Sequence, residues 1–540
     1  MIRPRTATAY ALAGLLLVVT GCTASPEQGA HTGARSPVGS PLAAQPTGLP
    51  HGKGVPTVDS TARPIEPIPP THRPGIVDPP PGSGMARYLH QKISWRPCGI
   101  QNAASKLCAT VLAPLDYRHP DPKAITLAIA RRPSAAPHPK GMIFTNPGGP
   151  GASGVDFLDF FNAHGLDQSY DIVSWDPRGS GRSTPVACFT DRQMESYIAS
   201  DYSPENAAKT QQLIDLDTEF GRACLARSGS LLEHISTQDT VRDLELLRQL
   251  LGQQRLNYFG FSAGTSIGAM YATMFPHRVG RMVLDGATSI GGAPEISQTD
   301  GFNRTLGNFA AWCARQGCRL GDTQTQVQHT ITTFLQRLDQ QTIPGGRREL
   351  TQALATSGLI FALYSPASSW PAMLDGLEKA IYFNNGSTLM TWADAYYQRA
   401  DNGRFSQFNA AFPAIRCLDE RDHGVAGELK SWRKDEKRAP VLGPFIGPDL
   451  TCATWPVPAT GDTSHKISYS GRPPVVILGT TGDPATPYEY ARQMHRALVS
   501  SRLITLDGDG HLAFDQSSCV QAKVLSYFVG GQTPPDSTCR

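Results

Sequence analysis

Apolar and polar positions divide this chain into two kinds of territory. Short apolar runs bounded by turn residues recur at Cys108 to Leu115, Ala124 to Ala130, Met142 to Thr145, Tyr170 to Trp175, Leu256 to Phe261 and Arg281 to Asp285. Each has the length of a strand, and the Pro- and Asp-rich segment Tyr117 to Lys123 supplies a turn between the first two. Between the fourth and fifth runs, Val241, Leu244, Leu247, Leu250 and Leu251 follow helical spacing, with Ser236 or Thr237 as a start signal and Gly252 as a stop. From about Ser289 to Ser468 strand-like runs cease and helical periodicity takes over, as in Val327 to Leu338 and Pro371 to Phe383. Aromatic residues (Phe361, Tyr364, Trp370, Trp392, Tyr396, Tyr397) are frequent there. The alternation then returns as strand Val475 to Gly479, helix Tyr488 to Leu498, strand Leu503 to Leu506 and helix Val520 to Phe528. Strands alternating with helices predict an α/β fold with a largely parallel sheet and right-handed crossovers. The helical stretch 289–468 reads as a cap inserted between a first segment of the core, 87–288, and a second, 469–540. No internal repeat is present.

The N-terminal end follows a different pattern. Arg3 and Arg5 precede an apolar segment, Ala11 to Val19, that is too short to span a bilayer comfortably and has the order of a secretory signal. Val19-Thr20-Gly21-Cys22 follows and resembles a bacterial lipobox, which makes Cys22 the expected lipidated N-terminus of the mature protein. The plainer alternative is an ordinary cleavage site beside an incidental cysteine. Residues 23–86 are rich in Pro, Gly, Ser, Thr and Ala and almost free of large apolar side chains, so they are expected to form an extended, disordered tether.

Composition narrows the function. With 18% charged residues, 40% hydrophobic residues and a formal net charge of +3 over 540 residues, nothing points to nucleic acid. Membrane contact is expected only through the lipid anchor. Removing Cys22 from the eleven cysteines leaves an even number, as an exported chain with paired thiols requires. Proximity suggests Cys98–Cys108, Cys188–Cys224, Cys313–Cys318, Cys417–Cys452 and Cys519–Cys539, although sequence alone does not fix the connectivity. No Cys-x-x-Cys pair occurs, which argues against zinc and thioredoxin chemistry. The pattern carries no information on oligomeric state.

The chemistry gathers around Asn257 to Thr265, which contains Gly260-Phe261-Ser262-Ala263-Gly264. Gly-x-Ser-x-Gly between a strand and a helix makes the sharp turn that lifts one serine hydroxyl above the sheet of an α/β hydrolase. Gly264, Gly268 and Ala272 give the following helix a smooth face, and Pro276 ends it. A serine needs a base, and the base needs a carboxylate to fix its tautomer, in the chain order Ser, acid, His for this fold. Asp483 and His511 stand after the last two predicted strands, where that order demands. Asp285, also at a strand end, competes for the acid role, and Asp483 has the plainer alternative of capping the helix near Pro487. An oxyanion needs two N–H donors, expected from Ala263 and from Gly149 in the loop Asn146 to Gly154. A phosphate loop is the rival reading there, but no Lys-Ser/Thr pair follows the glycines. In Asp176-Pro177-Arg178-Gly179-Ser180-Gly181, an Asp–Arg pair is expected to brace two adjacent loops rather than to enter the chemistry.

Taken together, Asn146 to Gly154, Trp175 to Ser183, Gly260 to Thr265, Gly482 to Pro487 and Gly510-His511 resemble the secreted tripeptidyl aminopeptidases. These are α/β-hydrolase exopeptidases related to proline iminopeptidase. Ala414 to Asp419 resembles a stretch of that family's cap, and the resemblance runs from about Trp95 to Cys539. It implies Ser262, Asp483 and His511 as the triad, with Gly149 contributing to the oxyanion hole. Many relatives carry a bulky aromatic where this chain has Ala263, so the pocket wall is smaller here.

These residues predict a serine exopeptidase acting outside the cytoplasm, without a cofactor or metal, on peptide or protein substrates with free N-termini, and releasing short pieces such as tripeptides. The alternatives are an esterase or lipase with the same triad, and a surface binding protein that keeps the fold without the chemistry. A free ammonium entering a partly desolvated pocket needs a carboxylate partner. Asp419 and Glu420, beside Cys417, are the candidates, against the plainer reading of a solvated acidic helix face.

Overall fold

The computed structural model describes residues 75–98, 106–290, 296–420, 422–460 and 467–540. Strands β1 (Arg96–Pro97), β2 (Leu107–Asp116), β3 (His119–Arg132), β4 (Met142–Asn146), β5 (Asp171–Trp175), β6 (Leu256–Phe261) and β7 (Val279–Asp285) precede the cap. Within the cap β8 (Ile343–Pro344) and β9 (Glu349–Leu350) make a small hairpin. After it come β10 (Val475–Gly482), β11 (Ser501–Asp509) and β12 (Ser537–Cys539). Apart from the hairpin these form one ten-stranded sheet in the order β1-β2-β3-β5-β4-β6-β7-β10-β11-β12. Pairing is antiparallel from β1 to β5 and parallel from β5 to β12. This mostly parallel sheet flanked by helices and interrupted by a helical cap is the α/β-hydrolase fold.

The alternation of side chains along each strand builds two cores. On β6, Tyr258 joins one apolar cluster while Phe259 and Phe261 join the other; on β7, Met282 and Leu284 face Tyr258's side and Val283 the opposite one. Both faces are covered, which is why these strands read as continuous apolar runs. Register sets the chemistry in line. Phe261 pairs with Asp285, and Asp285 pairs with Leu478, so the loops leaving β6, β7 and β10 open at the same edge of the sheet. Asn146 pairs with Gly260, which brings the glycine-rich loop after β4 to that edge too.

Most predicted elements appear within a few residues of their expected bounds. All five disulfides pair as proximity suggested: Cys98–Cys108, Cys188–Cys224, Cys313–Cys318, Cys417–Cys452 and Cys519–Cys539. Cys22, the signal segment and the tether up to residue 74 lie outside the described residues.

Three expectations need correction. The folded body does not wait for residue 87: Val77 exchanges two backbone hydrogen bonds of 2.8 Å with Ala124, adding an isolated bridge beside β3. Two helices, Asp191–Ile198 and Ala207–Ser228, stand between β5 and the expected helix (Thr237–Leu250) in a stretch where no element was expected, and Cys188–Cys224 ties the loop before the first to the second. Asp176 and Arg178 do not pair with each other. The Arg178 guanidinium forks onto Asp243 with two bonds of 2.7 Å, whereas Asp176 accepts from Ser153 Oγ, the Val155 N–H and the Arg182 N–H. The two residues therefore brace different loops.

Candidate active site

At the end of β6 the backbone turns through Ser262 with φ of +51°, and the helix Gly264–Met274 begins at once. That left-handed conformation is strained for a side chain and persists because its surroundings determine it. The Ser262 N–H donates to the Asp285 carbonyl at 2.8 Å, and the Ser262 carbonyl accepts from both the N–H and hydroxyl of Thr265. Gly264 is obligatory: a Cβ there would lie 2.6 Å from the Asn146 carbonyl oxygen and 3.0 Å from Asn146 Oδ1. Gly268 does the same a turn later, against Tyr258 at 2.9 Å, so the smooth helix face expected from Gly264 and Gly268 packs directly on the sheet.

His511 and Asp483 are fully buried and bonded to each other. His511 Nδ1 is 2.9 Å from each Asp483 carboxylate oxygen. The carboxylate also accepts from the Ala485 and Thr486 N–H groups, from Thr486 Oγ1 at 2.9 Å and from the Leu512 N–H. With Nδ1 donating to Asp483, the lone pair of the imidazole sits on Nε2, which is buried and has no hydrogen-bond partner among the described residues. The ring stands edge-on to Tyr364, and the His511 N–H donates to the Tyr364 carbonyl. Gly286 links base to serine: a Cβ on it would lie 3.1 Å from His511 Cε1, and its neighbour Asp285 holds the Ser262 N–H. Ser262 and His511 make no hydrogen bond to each other here, and such bonds commonly tighten only around substrate.

Asp285 is not the residue that holds the histidine. Its carboxylate accepts from the Ala513 and Phe514 N–H groups at 2.9–3.1 Å, just beyond His511. Burial pushes its pKa up to about 8, against the lowering effect of those donors. Asp483 does not cap the following helix, whose first residue is Tyr488 and whose N-cap, Pro487, makes no side-chain hydrogen bond.

Gly148 and Gly149 bring the glycine loop onto the elbow. A Cβ on Gly148 would lie 2.5 Å from the Phe261 carbonyl oxygen and 2.8 Å from the Ala263 nitrogen, and both glycines have positive φ. The Gly149 and Ala263 N–H groups donate to no acceptor among the described residues, and both residues line the cavity that also holds Ser262. That cavity has a volume of about 1010 Å³. Tyr364, Phe412 and Tyr490 are among the aromatic side chains on its wall, together with Met194, Tyr197 and Ile198 from the unexpected helix Asp191–Ile198.

The two acidic candidates have separate fates. The cap helix Phe408–Asp419 ends between them. Asp419, 5% exposed, accepts from the Thr237 N–H at 2.8 Å and from Thr237 Oγ1 at 2.5 Å, closing the start of the helix Thr237–Leu250. The Glu420 carboxylate reaches solvent yet is surrounded by protein, as a group on a cavity wall is, and has no hydrogen-bond or ion-pair partner among the described residues. Burial raises its pKa against the pull of Arg416. Arg416 itself is forked onto Asp449, one arm at 2.8 Å. Sequence reasoning missed Asp449 and Thr486. The Asp-x-x-Thr spacing from Asp483 was a usable signal for Thr486; nothing local announced Asp449.

One acidic group elsewhere, Asp201, Glu205 and Asp339, has metal-like spacing, but the Lys209 ammonium already stands among its oxygens, at 2.9, 2.7 and 3.8 Å.

Residues 439–539 match the family model described as TAP-like protein. Over 483 residues the chain is 36% identical to the serine protease Hip1 of Mycobacterium tuberculosis, covering 83% of this chain and 90% of that one. It is 35% identical over 490 residues to the carboxylesterase B of the same organism, with 85% and 92% covered. It is 30% identical over 480 residues to the tripeptidyl aminopeptidase of Streptomyces coelicolor, with 84% and 87% covered.

Proposed function

The chain belongs to the tripeptidyl aminopeptidase family of α/β hydrolases and is a serine hydrolase, and on that premise we propose that it is an exopeptidase acting from free N-termini through Ser262, His511 and Asp483. In this scheme Ser262 Oγ attacks the scissile carbonyl while His511 Nε2 takes its proton. Asp483 holds the ring and stabilises the imidazolium that forms. The Gly149 and Ala263 N–H groups receive the developing oxyanion. His511 then protonates the leaving amine, and a water molecule, deprotonated by His511, hydrolyses the Ser262 ester to free the N-terminal fragment as a carboxylic acid and restore the serine hydroxyl. Thr486, bonded to Asp483, positions the acid. No metal or cofactor enters these steps.

The observation that carries the reading is the bare, buried Nε2 of His511, fixed in that tautomer by Asp483 beside a serine held at positive φ. The free-N-terminus preference rests on Glu420, a carboxylate on the cavity wall with no ion-pair partner among the described residues. Five disulfides, and the lack of a helix long and apolar enough to cross a membrane among the described residues, are compatible with export. Anchoring through Cys22 completes the proposal.

A fluorophosphonate probe tests the nucleophile: it should label the wild type stoichiometrically and Ser262→Ala not at all. Labelling that survives Ser262→Ala would defeat the assignment. The carboxylesterase relative favours a second reading, that esters are the preferred substrates. Comparing kcat/KM for peptide amides with free N-termini against short acyl esters separates the two: the exopeptidase reading requires efficient amide turnover that drops when the N-terminus is acetylated.

A further inference from the structure

Six tyrosines line the cavity, and the fold uses the hydroxyls of four. Tyr197 donates to Asp217 at 2.6 Å, Tyr202 to the Tyr197 carbonyl at 3.1 Å and Tyr490 to the Ile296 carbonyl at 2.8 Å, while Tyr397 shares a bond of 2.9 Å with Ser357. The Tyr364 and Tyr396 hydroxyls have no hydrogen-bond partner among the described residues. Neither oxygen is sealed from solvent, so both open on the cavity. Both rings are held still. Tyr364 follows the buried helix Gln352–Leu363; its ring stands edge-on to His511 at 5.3 Å and against Phe302 at 5.4 Å, and its carbonyl takes the His511 N–H. Tyr396 ends the helix Ser387–Tyr396 and stands edge-on to Tyr397 at 5.0 Å, and the Tyr397 hydroxyl is tied back to Ser357 of the first helix. Phenylalanine would pack as well at either place, so packing accounts for the rings and not for the hydroxyls. Burial, with Tyr396 and Asp483 nearby, pushes the Tyr364 pKa well up, so that phenol keeps its proton.

We propose that the Tyr364 and Tyr396 hydroxyls donate to main-chain carbonyls of a bound peptide beside its scissile bond. The inference rests on the peptidase reading above and concerns neither the substrate's N-terminus nor the length released. Each residue of an extended peptide brings a carbonyl that loses its water on entering the cavity, and a carbonyl left there without a donor weakens binding. The Gly149 and Ala263 N–H groups are reserved for the scissile oxygen, so the carbonyls beside it need other donors. A phenol held by packing supplies one without first breaking a bond inside the protein. Tyr364 is placed for the nearest of them, because its ring stands against the base that serves the scissile bond. A simple acyl ester has no carbonyl but the scissile one and gains nothing from either hydroxyl. The pair therefore favours peptides over short acyl esters, through contacts that the triad and oxyanion hole do not make.

The test uses the full-length protein with Tyr364→Phe and Tyr396→Phe, each counted per active site by fluorophosphonate titration. Three substrates are compared by kcat/KM: p-nitrophenyl acetate, a p-nitrophenyl ester of a short peptide, and a longer peptide with the same acyl sequence. In each variant the value for the acetate should hold, and the value for a substrate that presents the acceptor should fall roughly 5- to 50-fold, the loss of one donor to a buried carbonyl. A fall for both the peptidyl ester and the peptide supports the assignment with the carbonyl on the acyl side. A fall for the peptide alone, with an unshifted pH profile, supports it with the carbonyl on the leaving side. A fall shared equally by the acetate, or a shifted pH profile, would mean that the tyrosine acts only by holding His511 in place, and would overturn the assignment. A variant that shows no fall would overturn the role of its hydroxyl and leave the exopeptidase reading intact. A wild type that hydrolyses the acetate but not the peptide would overturn both. None of these comparisons varies the N-terminus, so indifference to N-acetylation counts against the exopeptidase reading alone.

Discussion

Two buried aspartates flank the histidine, and exchanging each for asparagine separates the one that orients it from the one that supports its loop. Asp483 accepts from His511 Nδ1, two backbone N–H groups of its own turn, Leu512 N–H and Thr486 Oγ1. Asparagine fits the space but puts an NH₂ among donors. Turned toward His511, that NH₂ donates to Nδ1 and moves the ring proton to Nε2, where it blocks the base. We expect kcat to fall by roughly 10³–10⁴, about 4–5.5 kcal/mol of transition-state stabilisation.

Asp285→Asn touches no atom of His511. Its remaining carbonyl can still serve Phe514 and share Ala513, because Oδ2 already accepts from both. The expected result is a loss of kcat of no more than about tenfold, from a looser His511 loop, and about 1–3 kcal/mol of stability where a donor is left unmet. Its pH dependence has a definite sign. With the folded-state pKa raised to about 8 by burial, against about 3.9 unfolded, the native protein binds the proton more tightly. Wild-type stability therefore declines as pH rises from about 4 to about 8. Asparagine does not titrate, so Tm of the variant relative to wild type should climb between pH 5.5 and pH 8.5. The assay is kcat per active site, counted by fluorophosphonate titration, together with calorimetry at both pH values. A larger per-site loss for Asp285→Asn than for Asp483→Asn would refute the acid assignment. A Tm difference that ignores pH would refute the raised pKa.

Gly264→Ala should destabilise the protein by about 1–3 kcal/mol in urea unfolding, because its Cβ meets the Asn146 backbone, which cannot yield as a side-chain end would; an unchanged midpoint would contradict the packing. Asp419→Asn should weaken the start of the helix Thr237–Leu250 by about 1–2 kcal/mol, read by the same unfolding assay, and no loss would mean that Thr237 finds another acceptor. On the proposed lipid anchoring, Cys22→Ser should move the protein from a detergent-soluble membrane fraction to the medium, since an acyl chain at Cys22 would supply the membrane affinity. A wild-type mature N-terminus found unacylated, or starting elsewhere, would end the lipoprotein reading.

What could be read from the sequence follows from how local each constraint is. Gly260, Ser262 and Gly264 are legible because the turn itself dictates them: a φ of +51° at the serine and a backbone contact at Gly264 are enforced within five residues. Asp483 and His511 are legible because each terminates a strand whose apolar run marks its own end. The 22-residue helix Ala207–Ser228 was missed because it buries only Leu213, Asp217, Phe220, Gly221 and Cys224, too few apolar side chains to set up a period. Arg178 was given the wrong partner because its carboxylate, Asp243, lies 65 residues away, while Asp176 stands beside it. The same limit governs the acidic pair in the cap. Adjacency treated Asp419 and Glu420 as one feature, yet the helix ends between them, and neighbours across a helix end need not share a face. Asp419 keeps the helical direction and meets Thr237, 182 residues back in the chain; Glu420 takes extended backbone and meets the cavity. A charge pattern records which groups are present, and the backbone angle at a single residue decides which of two cavity-lining neighbours is bonded to Thr237 and which is not.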